Sequence, residues 1–493
     1  MKNTYALLWI AVLLMTACAL GPDYKRPDVS PPQAYKQPAP PGESVANMPW
    51  WDLFKDDTLK GLIRQALKDN KDILASLARI QEARAALGYT KADQYPSFAY
   101  MGRASRADLW TPNFLYPLAP RFMPAFGNAT ANDGLMAADA SFQVDLWGRL
   151  RRSTESSRAQ LAASEEAYRT TVITLVSDVA TTYLLMRQVD AQLKVANDTL
   201  ASRRESLRLI RAKFEAGLVP LLDVNQAEMQ ESTAAATVSS LERGQAQVED
   251  ALSFLVGENP SSIPRGAGLG DQVFPPEVPA GLPSELLERR PDIRTAEENL
   301  HAQMALIGVT KALMLPNLTL TGFAGHESMD LTGYPYGVGN SWSLAAGLVG
   351  PLFQFGKNKR RVEIQKAKTD EALQTYEKAA LNAFREVEDG LVAVRTYRDE
   401  YEAVERDLAA ARSASTLSHA RYDAGYTSYL EVLDTDRILF STELQAAEVL
   451  QQRYAALIGL YKALGGGWQT EEMAQGTGAK AVPKAAGEAP PKE

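Results

Sequence analysis

Cys18, the one cysteine of this 493-residue chain, closes the stretch Met15-Thr16-Ala17-Cys18. Lys2 supplies a positive start, and Ala6 to Met15 form an apolar run too short to cross a bilayer. Small residues then lead into Cys18 in the manner of a lipoprotein signal-peptidase box, with Met15 standing where leucine is usual. The chemistry of such a box is removal of residues 1–17 and attachment of lipid to the thiol. An ordinary signal peptide with an incidental cysteine is the other reading. With a single thiol, no disulfide forms within the chain.

A second set of candidate residues is charged and follows two glycine turns. Leu222-Asp223-Val224 lies just past Gly217, and Leu430-Glu431-Val432-Leu433-Asp434 lies just past Gly425, with Arg437 one helical turn beyond Asp434. As an i,i+3 surface pair, Asp434 and Arg437 contribute about a few tenths of a kcal/mol. Gathered around an axis from three chains, the same acids would repel, making a closure that responds to pH, salt and cations. Gly217 and Gly425 suit left-handed helix ends, which accounts for both. Leu218 and Tyr426 beside them are surplus to capping and mark the tips as candidate docking points for a partner.

Composition excludes several classes of function. Sixty acidic against 52 basic residues leave a net charge of -8, which argues against nucleic acid as a partner. His301, His326 and His419 are the only histidines and lie far apart, against a histidine-based metal or catalytic centre. Gly350 to Asn358 resembles a phosphate loop, but its glycines are one residue too far apart and Asn358 replaces the magnesium-binding hydroxyl. Gly266-Ala267-Gly268-Leu269-Gly270 lies in a proline-rich linker and opens no helix. No enzyme, cofactor or metal site is expected.

The elements that position these residues are long. Arg149 to Ala216 contains neither glycine nor proline, and predicts a helix of roughly 100 Å. Tyr168, Val172, Leu175, Val179, Thr182, Met186, Val189 and Leu193 lay a stripe along it for packing against other helices. Lys357 to Ala424 repeats the object, interrupted only by Gly390, with its stripe at Val387, Leu391, Val394, Tyr397, Tyr401, Val404 and Leu408. Return helices are expected from about Asp223 to Val256 and up to Leu464. Upstream, Asp57 or Thr58 caps a helical stretch that Pro96 stops, and Ile293 to Leu315 matches its second half. Gly148 and Gly356 share the offset of Gly217 and Gly425, so the chain is an internal duplication.

Between the shorter and longer helices of each repeat the pattern alternates. Two strands are expected within Ser97 to Trp147, joined by a loop through Trp110 to Gly134; in the second repeat a strand at Asn317 to Phe323, a loop over Glu327 to Ser341 and a strand over Trp342 to Phe355 follow. No later segment is apolar enough for a membrane helix, so strands must do any spanning. Four strands cannot close a membrane barrel, whereas three copies give twelve. A trimer is the economical solution; a soluble sandwich is the alternative.

Several stretches together resemble one family, the outer-membrane efflux proteins of bacterial tripartite pumps, in the lipidated branch of the TolC superfamily. They are Gly21-Pro22-Asp23-Tyr24-Lys25-Arg26-Pro27, Trp50-Trp51-Asp52-Leu53-Phe54, Asp145-Leu146-Trp147-Gly148-Arg149, Gly281-Leu282-Pro283-Ser284 with Arg289-Arg290-Pro291-Asp292, and Ala463-Leu464-Gly465-Gly466-Gly467-Trp468. The resemblance implies a mainly α fold with membrane β: a homotrimer whose twelve-stranded β-barrel in the outer membrane continues into a long periplasmic α-helical barrel, with a mixed equatorial domain. It implies two partners besides outer-membrane lipid, a periplasmic adaptor and an inner-membrane RND-type transporter. It places the periplasmic gate at Leu430 and Asp434, with Arg437 in the latching hydrogen bonds; Glu431 and Asp223 are the neighbouring acids, and Glu431 stands where a neutral residue is common. Ala19 follows Cys18 in place of the aspartate that goes with inner-membrane retention in bacterial lipoproteins, so the implied address is the outer membrane.

The expected divisions are a signal peptide over 1–17, a lipid-anchored tether and equatorial segment over 18–58, repeat 1 over 59–256, a linker over 257–283, repeat 2 over 284–464, and an equatorial end with a disordered tail over 465–493. The expected function is a passive, gated duct for drugs or other small toxic solutes. A duct for type I protein secretion and a non-conducting coiled-coil scaffold are the alternatives.

Overall fold

A computed structural model describes residues 19–37, 44, 47–109, 129–273, 281, 283–328 and 339–467. Contacts divide the described residues into two units. One draws on residues up to Arg26, Glu82–Ala162 and Glu298–Gln374, the other on Pro27–Gln81, Ala163–Glu297 and the residues from Thr375 on.

The helices are α1 (Trp50–Leu53), α2 (Asp57–Asp69), α3 (Lys71–Ala92), α4 (Arg149–Glu215), α5 (Leu221–Val256), α6 (Leu286–Arg289), α7 (Pro291–Ala312), α8 (Lys357–Asp423) and α9 (Tyr429–Ala463). The strands are β1 (Ser97–Leu109), β2 (Ala129–Val144), β3 (Asn317–Ser328) and β4 (Gly339–Val349). Both long helices run unbroken for 67 residues.

The first unit holds one antiparallel sheet of order β1-β2-β3-β4. Opposed residues in such a ladder share a face, so the register sorts the side chains. Phe98, Tyr100, Phe142, Leu318, Leu320, Trp342 and Leu344 fall on one side. Arg103, Asp139, Gln143, Thr319, Thr321, Glu327 and Ser343 fall on the other. The strands are longer at their far ends than the sequence suggests. Ala129 to Gly134, Glu327 and Gly339 to Ser341, read as loop, pair in the ladder, because backbone hydrogen bonds to the neighbouring strand override their loop-like composition. Conversely β4 ends at Val349, and Phe353 and Phe355 lie beyond it as an edge-to-face pair with centroids 4.5 Å apart.

A strap formed by the first described residues crosses this unit. The Leu20 amide donates to the Trp147 carbonyl (3.1 Å), and the Trp147 indole N–H donates to the Pro316 carbonyl (2.8 Å). Gly21, at φ 107°, lies against Gly308, where a Cβ would come 2.3 Å from the Leu20 carbonyl oxygen. The Arg152 guanidinium, buried, donates to Asp23 (2.6 Å) and Glu155 (2.7 Å), and Tyr24 stacks on His301 with centroids 4.4 Å apart. These contacts explain why Gly21, Asp23 and Tyr24 occur together.

In the second unit the helix stripes are buried. Val172, Val179 and Met186 of α4 and Val387 of α8 are fully covered. Gly390, the one interruption of α8, permits close approach to α9: a Cβ there would lie 3.2 Å from Leu460 Cδ1. The short helices are pinned by polar groups. Asp56, rather than Asp57 or Thr58, caps α2, its Oδ1 accepting from the amides of Thr58 (2.9 Å) and Leu59 (3.4 Å). Its Oδ2 accepts from the Tyr183 hydroxyl (2.7 Å), the Ala267 amide (3.0 Å) and the Gln272 amide (3.0 Å). Arg290, also buried, donates to Asp292 (2.6 Å), to the Ala463 carbonyl (2.9 Å) and, through an ion pair of 2.7 Å, to Glu386.

Candidate functional site at the hairpin turns

Each long helix ends in the same turn. The Leu218 amide reaches back to the Lys213 carbonyl (2.8 Å) and the Gly217 amide to Phe214 (2.9 Å); Tyr426 with Arg421 (2.9 Å) and Gly425 with Tyr422 (2.9 Å) repeat the pair. This Schellman pattern puts the glycines in the left-handed region, at φ 72° and 75°. Nothing lies within 4 Å of a Cβ at either position, so conformation alone requires glycine. The return helices start at Leu221 and Tyr429, the first two residues before the expected Asp223 because Pro220 fits the N-cap position.

Leu207 and Ile210 of α4, Val224 and Ala227 of α5, and Tyr429, Val432 and Leu433 of α9 form one buried cluster behind the turns, which Tyr422 of α8 joins. Burial, followed by the neighbouring Tyr422, Asp436 and Asp223, pushes the Tyr429 hydroxyl up to about 12, so it is neutral near pH 7. Asp223 is thereby placed within electrostatic reach of Tyr429, half-buried in the first turn of α5. Leu430, next in sequence, is exposed. Asp434 and Arg437 pair at 2.7 Å, both well exposed. Glu431 accepts from the Thr427 hydroxyl and lies 3.8 Å from the Arg421 guanidinium. Leu218 and Tyr426 project into solvent at 74 % and 80 % exposure. Cys18 lies outside the described residues.

The sequence reading missed a polar network one to two turns behind the tip. His419 of α8 faces Asp436 of α9, with Nε2 2.9 Å from Oδ2; the Ser415 hydroxyl donates to the same carboxylate (2.7 Å), and Ser418 pairs with Thr435 (2.6 Å). Arg203 of α4, buried and held below its ordinary value by that burial, caps the Gln230 carbonyl (2.8 Å) and covers the Phe440 ring at 4.9 Å. Folding the hairpin about Thr427 and Ser428 sets His419 opposite Asp436, a symmetry the sequence contained.

The family model described as outer membrane efflux protein matches residues 62–258 and 282–466. The chain belongs to the outer membrane efflux protein family. A solvent efflux pump outer membrane protein, SrpC of Pseudomonas putida, is 34% identical over 470 residues, covering 94% of this chain and 98% of that protein. The cation efflux system protein CusC of Escherichia coli K12 is 32% identical over 461 residues, covering 92% and 97%. The open state of the MtrE outer membrane channel of Neisseria gonorrhoeae superposes with a TM-score of 0.81 at 28% identity, over 92% of this chain and 99% of that one. This efflux protein is thus an outer-membrane component of a multi-component efflux system.

Proposed function

We propose that this efflux protein acts as a passive, gated duct, assembled as a homotrimer and anchored in the outer membrane by lipid on Cys18. The observation that carries the reading is the four-stranded sheet with one apolar face and two unpaired edges, β1 and β4. In hydrocarbon an unpaired edge is costly, so the edges must be covered, and three copies closing edge to edge give twelve strands around a lumen lined by the polar face. The exposed tips at Gly217–Leu218 and Gly425–Tyr426 dock a periplasmic adaptor, and an RND-type inner-membrane transporter supplies substrate and energy. The relatives' names refer to cations in one case and solvents in another, which fits a duct that leaves the choice of solute to its pump, with drugs and other small toxic solutes as the general class.

Leu430, Glu431, Asp434, Arg437 and Asp223 form the gate. The Asp434–Arg437 pair is exposed in one chain, where water screens it and it stabilises by less than about 1 kcal/mol. Its worth lies in what it meets on neighbouring copies. The test is single-channel recording in planar bilayers: Asp434→Ala with Arg437→Ala is expected to raise the open probability of a channel that is closed or nearly so in the unaltered protein, and a double variant that inserts yet conducts no more than the parent would sink this gate.

A further inference from the structure

The apolar face of the sheet has relief. Tyr100, Ala138, Ala324 and Trp342 stand in register across the four strands, and Phe98, Ala140, Gly322 and Leu344 form the next row toward the helices. Both rows run large, small, small, large. The outer strands therefore raise two ridges of highly exposed side chains, while the two inner strands offer a floor with nothing larger than a methyl group. At about 4.8 Å between strands, the ridges stand on backbones roughly 14 Å apart. This floor covers the two rows, roughly 7 Å apart along the strands, and is bounded by Phe142 and Leu320 at the helix end and by Met136 and His326 at the far end. Two hollows lie along it: one of about 690 Å³ between Tyr100 and Trp342, one of about 450 Å³ beside Leu344 and Phe142. Each falls in the size range of small-ligand clefts, about 300–1,000 Å³.

We propose that this trough is a binding slot for one acyl chain of a membrane lipid. The opposite face of the same strands carries Arg103, Asp139, Gln143 and Glu327, so the trough side is the one turned to hydrocarbon. Its axis follows the strands, and strands in such barrels are tilted by only about 35–45° from the direction in which lipid chains lie. An α-helix, about 10–12 Å across with its side chains, would ride on the ridges without reaching the floor, whereas a single hydrocarbon chain enters between them. The far end is polar. His326 and Asn340 sit opposite each other one row beyond Tyr100 and Trp342 and offer hydrogen-bond donors to the ester end of the chain. The small residues on β2 and β3 thus have a ligand, where an evenly apolar surface would only have a solvent.

The slot rests on the membrane-barrel reading, and its test separates the two. Full-length protein reconstituted in vesicles of phosphatidylethanolamine and phosphatidylglycerol is extracted into detergent, and retained lipid is counted by native mass spectrometry; conductance is measured on the same preparations. Filling the floor with Ala138→Leu and Ala324→Leu is expected to weaken lipid retention about tenfold with conductance unchanged. Lowering a ridge with Trp342→Ala, which leaves the floor alone, is expected to do the same and serves where the filled variant does not insert. Retention equal to the parent in an inserted variant overturns the slot. Failure of the unaltered protein to insert into the vesicles overturns the barrel reading, and the slot with it.

Discussion

Asp56 shows how much one buried carboxylate can organise. Burial pushes its carboxyl up, but hydrogen bonds from Gln272, Tyr183 and the amides of Thr58 and Leu59 outweigh burial and hold it below the usual carboxylate value. Folding therefore favours the ionised form. That contribution is fully present above the unfolded carboxylate's range, near pH 4, and is lost as pH falls through the lower folded value. Asp56→Ala removes the α2 cap and leaves the Tyr183 hydroxyl and the Ala267 amide without this acceptor, an expected loss on the order of 2–4 kcal/mol by chemical denaturation. Against Asp56→Asn, the parent's advantage is expected to shrink as pH is lowered from about 5 to below 3; an advantage independent of pH would show that its charge is irrelevant. At this scale the sequence was only half legible. Asp434 and Arg437 share a helix turn, so spacing alone pairs them, whereas the His419–Asp436 and Asp56–Tyr183 contacts depend on how separate helices meet.

The helices were legible because long stretches without glycine or proline leave few alternatives, and each glycine that does occur has a distinct reason. Gly217 and Gly425 are held by backbone conformation with open space around them, so asparagine, which tolerates the left-handed region, is expected to cost less than alanine, and valine the most, in the range of about 1–2 kcal/mol. Gly390 has the opposite constraint. Its helical backbone accepts any residue, but a side chain there meets Leu460, so Gly390→Leu is expected to destabilise by about 1–3 kcal/mol, while Gly390→Ala, which needs only a few tenths of an ångström, stays close to the parent. Thermal melts of the two series check this, and a common ranking at all three sites would refute the distinction. The strands were less legible. Gly339, Asn340 and Ser341 carry the composition of a loop, and a strand in a barrel wall needs apolar residues on one face only, so its signal is half that of a core strand.

At the scale of the whole molecule the duplication was visible in matched glycine offsets, yet the contact units cut across it, because each unit gathers the corresponding elements of both repeats. The trimer proposed from the open edges makes a complex of three chains the expected species in detergent, and a mass corresponding to a single chain in a conducting preparation would refute it. The strap over the sheet unit is another long-range feature. Gly308→Val would drive a side chain into the Leu20 carbonyl and Arg152, and is expected to make the bond after Lys25 more accessible to trypsin in the folded protein, as limited proteolysis with mass analysis would reveal. The strap also sets an order of events. Leu20 is already hydrogen-bonded to Trp147, and Ala19 packs so closely on Gly148 that a Cβ there would lie 2.8 Å from its Cα. With Cys18 carrying the lipid, the leash between acyl group and fixed backbone is a single residue, about 3.5 Å. A peptidase cannot admit so short a stretch into its cleft once the strap is seated. On the proposal that Cys18 is cleaved and acylated, both steps therefore have to precede seating of the strap, and maturation becomes a checkpoint on the way to the finished fold.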